Sequence, residues 1–157
     1  MSKIVCGDKK QVTIDELESY IHREIPLTRA MHVRVTGLDE AGLTLAAPLE
    51  PNINDKGTAF AGSIATLLTL SGWALLHTLL DAERTGLRVA VTDSRLTYTR
   101  PVAGDFRAVC AHPGMDAIDS TQHALTAQGK ARIALQAHLF EGDTMCATLE
   151  GTYAVLI

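Results

Sequence analysis

Residues 51–80 of this 157-residue chain read PNINDKGTAFAGSIATLLTLSGWALLHTLL, and from Gly57 to Leu80 not one side chain is charged. An uncharged run above about 18 residues has the length of a membrane span. This one carries Thr58, Ser63, Thr66, Thr69, Ser71 and His77, opens on Gly57 and Gly62, and has no asymmetric Lys/Arg flank, all of which argue against a span. Apolar residues that keep to no single stripe indicate instead a helix buried on most sides within one fold. The Pro-, Asn- and Gly-rich segment 48–57 is the loop that leads into it.

Composition agrees with a packed domain. Hydrophobic residues make up 46% of the chain and charged residues 20%, which excludes a disordered protein. Residues 1–157 read as one domain, with 1–12 as a flexible lead. A formal charge of −4 gives no basic excess for nucleic acid, and no Lys/Arg block is present that would hold anionic lipid. The start, MSKIVCGDKKQ, has too short an apolar run for a signal peptide. Cys6, Cys110 and Cys146 are scattered, odd in number and form no CxxC pair, so they read as buried free thiols of a cytoplasmic protein.

Outside the central helix the pattern is mostly that of strands. Thr13 and Glu16 have capping-box spacing ahead of a helix over 13–24, which Pro26 ends. Alternation over 31–38 puts Met31, Val33 and Val35 on one face, and Leu43, Leu45 and Ala47 continue the period of two after a turn. Strands are further expected over 87–98, 106–111, 133–139 and 144–157, with a short helix over 119–128 and a hairpin turn at Glu141-Gly142-Asp143. One apolar helix and about six strands joined mainly by short turns imply an α+β fold. A curved antiparallel sheet wrapped around the helix explains why that helix needs no solvent-facing stripe.

That architecture is the hotdog fold, and specific residues strengthen the likeness. Asn54, Gly57, Thr58 and Gly62 before a buried helix resemble the Asn-x-x-Gly-Thr helix entry of hotdog acyl-CoA thioesterases. The stretch NxxGTAFAGS, the triplet Ser71-Gly72-Trp73 and VTDSRLTYTRPVAGD resemble the thioesterase family typified by the C-terminal domain of YiiD, from about Thr13 onward. In YiiD an acetyltransferase domain precedes this one; here a stand-alone version is expected. The resemblance implies a homodimer, or a dimer of dimers, built by edge pairing of the long third strands. The acyl chain would lie at the subunit interface near the start of the helix.

Backbone amides around Ala61, Gly62 and Ser63 are then expected to donate to a thioester carbonyl. Gly62 would allow a close approach. Gly57, Thr58, Phe60, Ser94 and Arg95 complete the expected substrate-binding set. Related thioesterases of the phenylacetyl-CoA type carry His-Gly-Gly where this chain has Phe60-Ala61-Gly62, and an acidic residue on the helix where it has Thr69. A hydroxyl with no evident base cannot simply inherit that role. Asp93, expected in a central strand with Arg95 on its face, is a candidate to prepare the attacking water, as is Asn54; each has an ordinary structural reading, an ion pair for Asp93 and an Asx-turn for Asn54.

His22 and His32 are expected to face solvent, and His77 to be a hydrogen-bonded core residue. No metal-ligand spacing and no phosphate loop occurs, so neither metal nor cofactor is expected. The leading function is hydrolysis of acyl-CoA or acyl-carrier-protein thioesters. The alternative is a non-catalytic acyl-thioester or lipid-binding module. A dehydratase is disfavoured, because its His–carboxylate pair is missing from the helix entry.

Overall fold

The computed structural model describes residues 11–157, the side chains of Glu83 and Arg84 excepted. Cys6 and most of the lead expected over 1–12 lie outside the described residues. Helix α1, Ile14–Glu24, begins at the Thr13 cap with both halves of the capping box formed. Its Glu18 carboxylate accepts from the Val35 amide at 2.9 Å, which pins the helix to the first strand. A single turn, α2 (Leu27–Ala30), was not foreseen; it precedes His32, whose left-handed φ of 55° redirects the chain into β1, Arg34–Asp39. Met31, Val33 and Val35 are buried, the face that the alternation indicated.

Strand β2 (Gly42–Ala47) follows, then the loop, the long helix α3 (Ala61–Leu79) and one turn of α4 (Ala82–Thr85). The remaining elements are β3 (Arg88–Tyr98), β4 (Phe106–Ala111), α5 (Met115–Gln128), β5 (Lys130–Glu141) and β6 (Thr144–Leu156). Helix α5 starts four residues earlier than 119, at the Gly114 cap, whose φ of 96° suits glycine. All strand pairs are antiparallel, in the order β1-β2-β4-β5-β6-β3. The sheet wraps around α3, which is the hotdog arrangement.

Helix α3 is long and apolar enough to cross a membrane by composition, yet here it is the core helix. Leu67, Leu68, Leu75 and Leu76 are fully buried beneath inward residues of the sheet such as Leu45, Leu139 and Leu149. Within the triplet Ser71-Gly72-Trp73, Gly72 and Trp73 fasten the helix to the sheet, while Ser71 bonds inside the helix. Ser71 Oγ donates to the Leu68 carbonyl at 2.7 Å, and Trp73 Nε1 donates to the Val89 carbonyl at 3.1 Å. Gly72 leaves room for the ring of Tyr153, whose hydroxyl donates to the Thr69 carbonyl at 2.8 Å.

One placement differs from expectation. Among the described residues strand β3 lies at the edge of the sheet, not at its centre, and pairs only with β6. It also carries a bulge: Val91 sits opposite Tyr153 and Asp93 opposite Thr152, so Thr92 is the extra residue. Val89 and Val91 oppose inward-facing β6 residues, but beyond Thr92 the parity changes.

Candidate functional site

Phe60 is the N-cap of α3 and makes no side-chain cap. Its amide donates to the Asn52 carbonyl at 2.7 Å, and the first amide to reach back into the helix is that of Ile64, at 3.1 Å from Phe60 O. Among the described residues the amides of Ala61, Gly62 and Ser63 therefore have no hydrogen-bond partner. Three such donors at the positive end of a helix favour an anion or a developing oxyanion. They sit beside an open pocket of about 290 Å³ lined by Asn54, Ala61, Ile64, Tyr98, Arg100 and Val102, among others.

The loop into the helix is built by Asn54. Its Oδ1 accepts from the amides of Lys56 at 2.8 Å and Thr58 at 3.1 Å, while its Nδ2 donates to Thr58 Oγ1 at 2.9 Å and, at 3.4 Å, to the Ala59 carbonyl. An Asn side chain has two donors and room for two such bonds at its oxygen, so every site is engaged inside the loop. The Asx-turn reading is the one the geometry supports. Gly57 closes that turn with a φ of 78°. Asn52, which the sequence did not single out, is nearly fully buried and ties the loop to the preceding strand region through Nδ2 bonds to the carbonyls of Met31 (2.9 Å) and Pro48 (2.8 Å). No spacing signal distinguishes it from Asn54 in the sequence.

Phe60 is 56% exposed, and its ring leans on Gly62, filling the space where a Cβ would stand. The glycine is thus needed where expected, although the group that approaches it in this structure is Phe60. Tyr98, the last residue of β3, also went unnoticed. Its hydroxyl donates to the Ala61 carbonyl at 3.3 Å across the pocket wall.

Thr69 is half-buried on α3, and among the described residues its hydroxyl has no partner. Asp93 is not brought to the helix entry. Because of the bulge it opposes Thr152, and Arg95 opposes Glu150, on the face of the sheet turned away from α3. Both are exposed, and no Asp93–Arg95 ion pair forms. Ser94, opposite the buried Gly151, is the one of these three on the inner face. Five residues of strand, roughly 17 Å, separate Asp93 from Tyr98.

Other reactive groups lie apart from the pocket. Cys110 and Cys146 are buried free thiols, and burial pushes the Cys110 thiol up to about 12, which leaves no thiolate for nucleophilic attack. His77 packs on Trp73 with ring centroids 3.9 Å apart, and its Nδ1 lies 3.3 Å from the Tyr20 hydroxyl. Burial lowers its pKa to about 4, with Glu24 opposing the shift, so the ring is neutral near pH 7. His22, expected at the surface, is half-buried and bonded through Nδ1 to Thr28 Oγ1 at 2.9 Å. Among the described residues no three His, Cys, Asp or Glu side chains gather in a way that could hold a metal.

Comparison with known proteins gives one family and a consistent set of structures. The family model described as "Putative thioesterase (yiiD_Cterm)" matches residues 14–157. A protein of unknown function from Chlorobaculum tepidum is 30% identical, with a TM-score of 0.85 over 93% of this chain and 98% of that one. A putative thioesterase from Shewanella oneidensis is 27% identical, with a TM-score of 0.77 over 92% of this chain and 97% of its own. A Pseudomonas aeruginosa protein described as a probable thioesterase shares the fold at 23% identity and a TM-score of 0.80, covering 92% and 95% of the two chains.

Proposed function

This chain belongs to the putative thioesterase family of the yiiD C-terminal type, and from that premise we propose that it hydrolyses acyl thioesters carried on coenzyme A or an acyl carrier protein. The observation that carries this reading is the set of unpartnered amides of Ala61, Gly62 and Ser63 beside the pocket. As water adds to the acyl carbon, negative charge builds on the carbonyl oxygen, and these amides are aimed to meet it. Collapse of the adduct breaks the C–S bond. The acid keeps the water oxygen, and the sulfur leaves as a thiol with a proton from that water.

Within this reading Asn54 is a positioning residue, and Ser94 faces the substrate side. Exposed Arg100 on the pocket wall offers a cation to a phosphate of the carrier. The unpaired edge of β3 pairs with the same edge of a second copy, making a homodimer. An 11-residue strand with exposed Val91 and Tyr98 is otherwise an invitation to aggregation. Such substrates place the protein in the cytoplasm.

A specific observation favours the second reading, a binding module without turnover: none of the residues lining the pocket is a carboxylate or an imidazole. Thiol release from acyl-CoA and acyl-carrier-protein panels separates the two. Saturable release supports the hydrolase. Tight binding without release at every chain length leaves the binding module.

A further inference from the structure

Helix α3 is least covered along one stripe. Gly62, Thr66, Thr69, Trp73 and His77 recur at helical spacing and are all half-buried, between residues that are mostly fully buried. The stripe lies on the β3 side of the helix, because Trp73 Nε1 reaches the Val89 carbonyl. Facing it are the inward residues of β3 beyond the bulge: Ser94, Leu96 and Tyr98, which oppose Gly151, Leu149 and Ala147 of β6. Gly151 adds no side chain to the floor. The stripe is thus the wall of a groove beside the edge strand.

The groove has two different ends. At the head the Phe60 ring leans over Gly62, next to the unpartnered amides. At the other end Trp73 spans from helix to strand and is backed by the ring of Tyr20, stacked at 6.0 Å and 9°. Nothing between Gly57 and Leu80 is charged, so the lining suits an uncharged occupant. Its hydroxyls do little to change that: Thr66 Oγ1 is turned back onto the Gly62 carbonyl at 2.8 Å.

From this geometry we infer that Trp73 is the stop of an acyl-chain ruler, with the chain entering at Gly62 and running past Thr66 and Thr69. The inference rests on the thioesterase reading and specifies its substrate class. Eleven residues of helix from Gly62 to Trp73 span roughly 16 Å. An extended chain advances about 3.5 Å for every three bonds, so after allowance for the indole the groove takes medium chains of about ten to twelve carbons. Each methylene forced past the stop costs on the order of tenfold in kcat/KM.

The experiment is a thiol-release assay over saturated acyl-CoAs from four to eighteen carbons, with wild type, Trp73→Ala and Thr69→Phe. Wild type is expected to fall off beyond about twelve carbons, Trp73→Ala to extend that limit, and Thr69→Phe to shorten it by several carbons, as expected for hydrophobic site volume. Since Trp73→Ala also loses the Tyr20 stack, Thr69→Phe at a half-buried position serves if the first variant does not fold. An unchanged chain-length profile in the folded variants overturns the ruler while leaving hydrolysis intact. If wild type releases no thiol, the hydrolase reading falls, and binding of non-hydrolysable acyl-CoA thioethers of the same lengths decides the ruler by the same shifts.

Discussion

The two halves of α3 share an uncharged composition and a buried apolar side, and differ in what covers the rest of the helix. At the tail, Ala74, Leu75 and Leu76 are buried, Trp73 is stacked under Tyr20, and Tyr153 is locked against Gly72. At the head, Ala61 is exposed, Gly62, Thr66 and Thr69 are half-covered, and three amides have no partner. Helix α1 contributes to the difference, because its Tyr20 packs on Trp73 and His77 of the tail. Packing is withheld at the head, where the thioester is proposed to bind, although the sequence of the helix changes little between the two regions.

Two glycines test that contrast with one type of substitution. At Gly72 a methyl group collides with the buried Tyr153 ring, so Gly72→Ala is expected to cost about 2–3 kcal/mol in urea unfolding. A loss under about 0.5 kcal/mol would break the account of a sealed tail, because it is no more than an ordinary surface change. Next in size is Asn54→Ala, which strips the loop of four hydrogen bonds while leaving the core untouched. It is expected to cost about 1–2 kcal/mol and to depress thiol release more than stability predicts. Tyr153→Phe should cost about 1 kcal/mol, the worth of its bond to Thr69, with little effect on release.

Gly62→Ala goes the other way. The obstructing group is the outer end of the exposed Phe60 ring, which can swing aside, and alanine is the better helix former. Stability is expected to rise by about 0.5 kcal/mol while thiol release falls. If release is unchanged, the thioester does not sit at the helix head. Opposite signs of stability change at Gly72 and Gly62 would be the clearest expression of a closed tail and an open head.

Much of this was legible in advance, for identifiable reasons. The Thr13–Glu16 box, the alternation at Met31, Val33 and Val35, and the uncharged helix are local signals, and each matches its element. The amides at Ala61, Gly62 and Ser63 could be foreseen because a helix head leaves such donors wherever no side chain caps it. Asp93 was expected in a central strand, but β3 lies at the sheet's edge and a single bulged residue, Thr92, which no local pattern marks, turns Asp93 to the outer face. Tyr98 and Asn52 escaped notice because their roles are contacts across 37 and 21 residues, and such contacts leave no spacing in the sequence.

The smallest expected effect concerns the tail again, through pH. His77 is held neutral by burial, with its pKa lowered from 6.5 to about 4. Between those values the unfolded chain binds a proton that the folded chain does not, so acidification favours unfolding. The contribution is fully present above pH 6.5 and is lost as pH falls toward 4. The ring is partly open to water, which screens the penalty and keeps the effect modest. Replacing His77 with Gln removes the titrating group, so the variant's loss of stability between pH 6.5 and 4, measured by urea unfolding at each pH, should be shallower than that of wild type. Equal slopes would mean that His77 is no better sealed than a surface histidine, and the tail of α3 would then be less closed than its packing indicates.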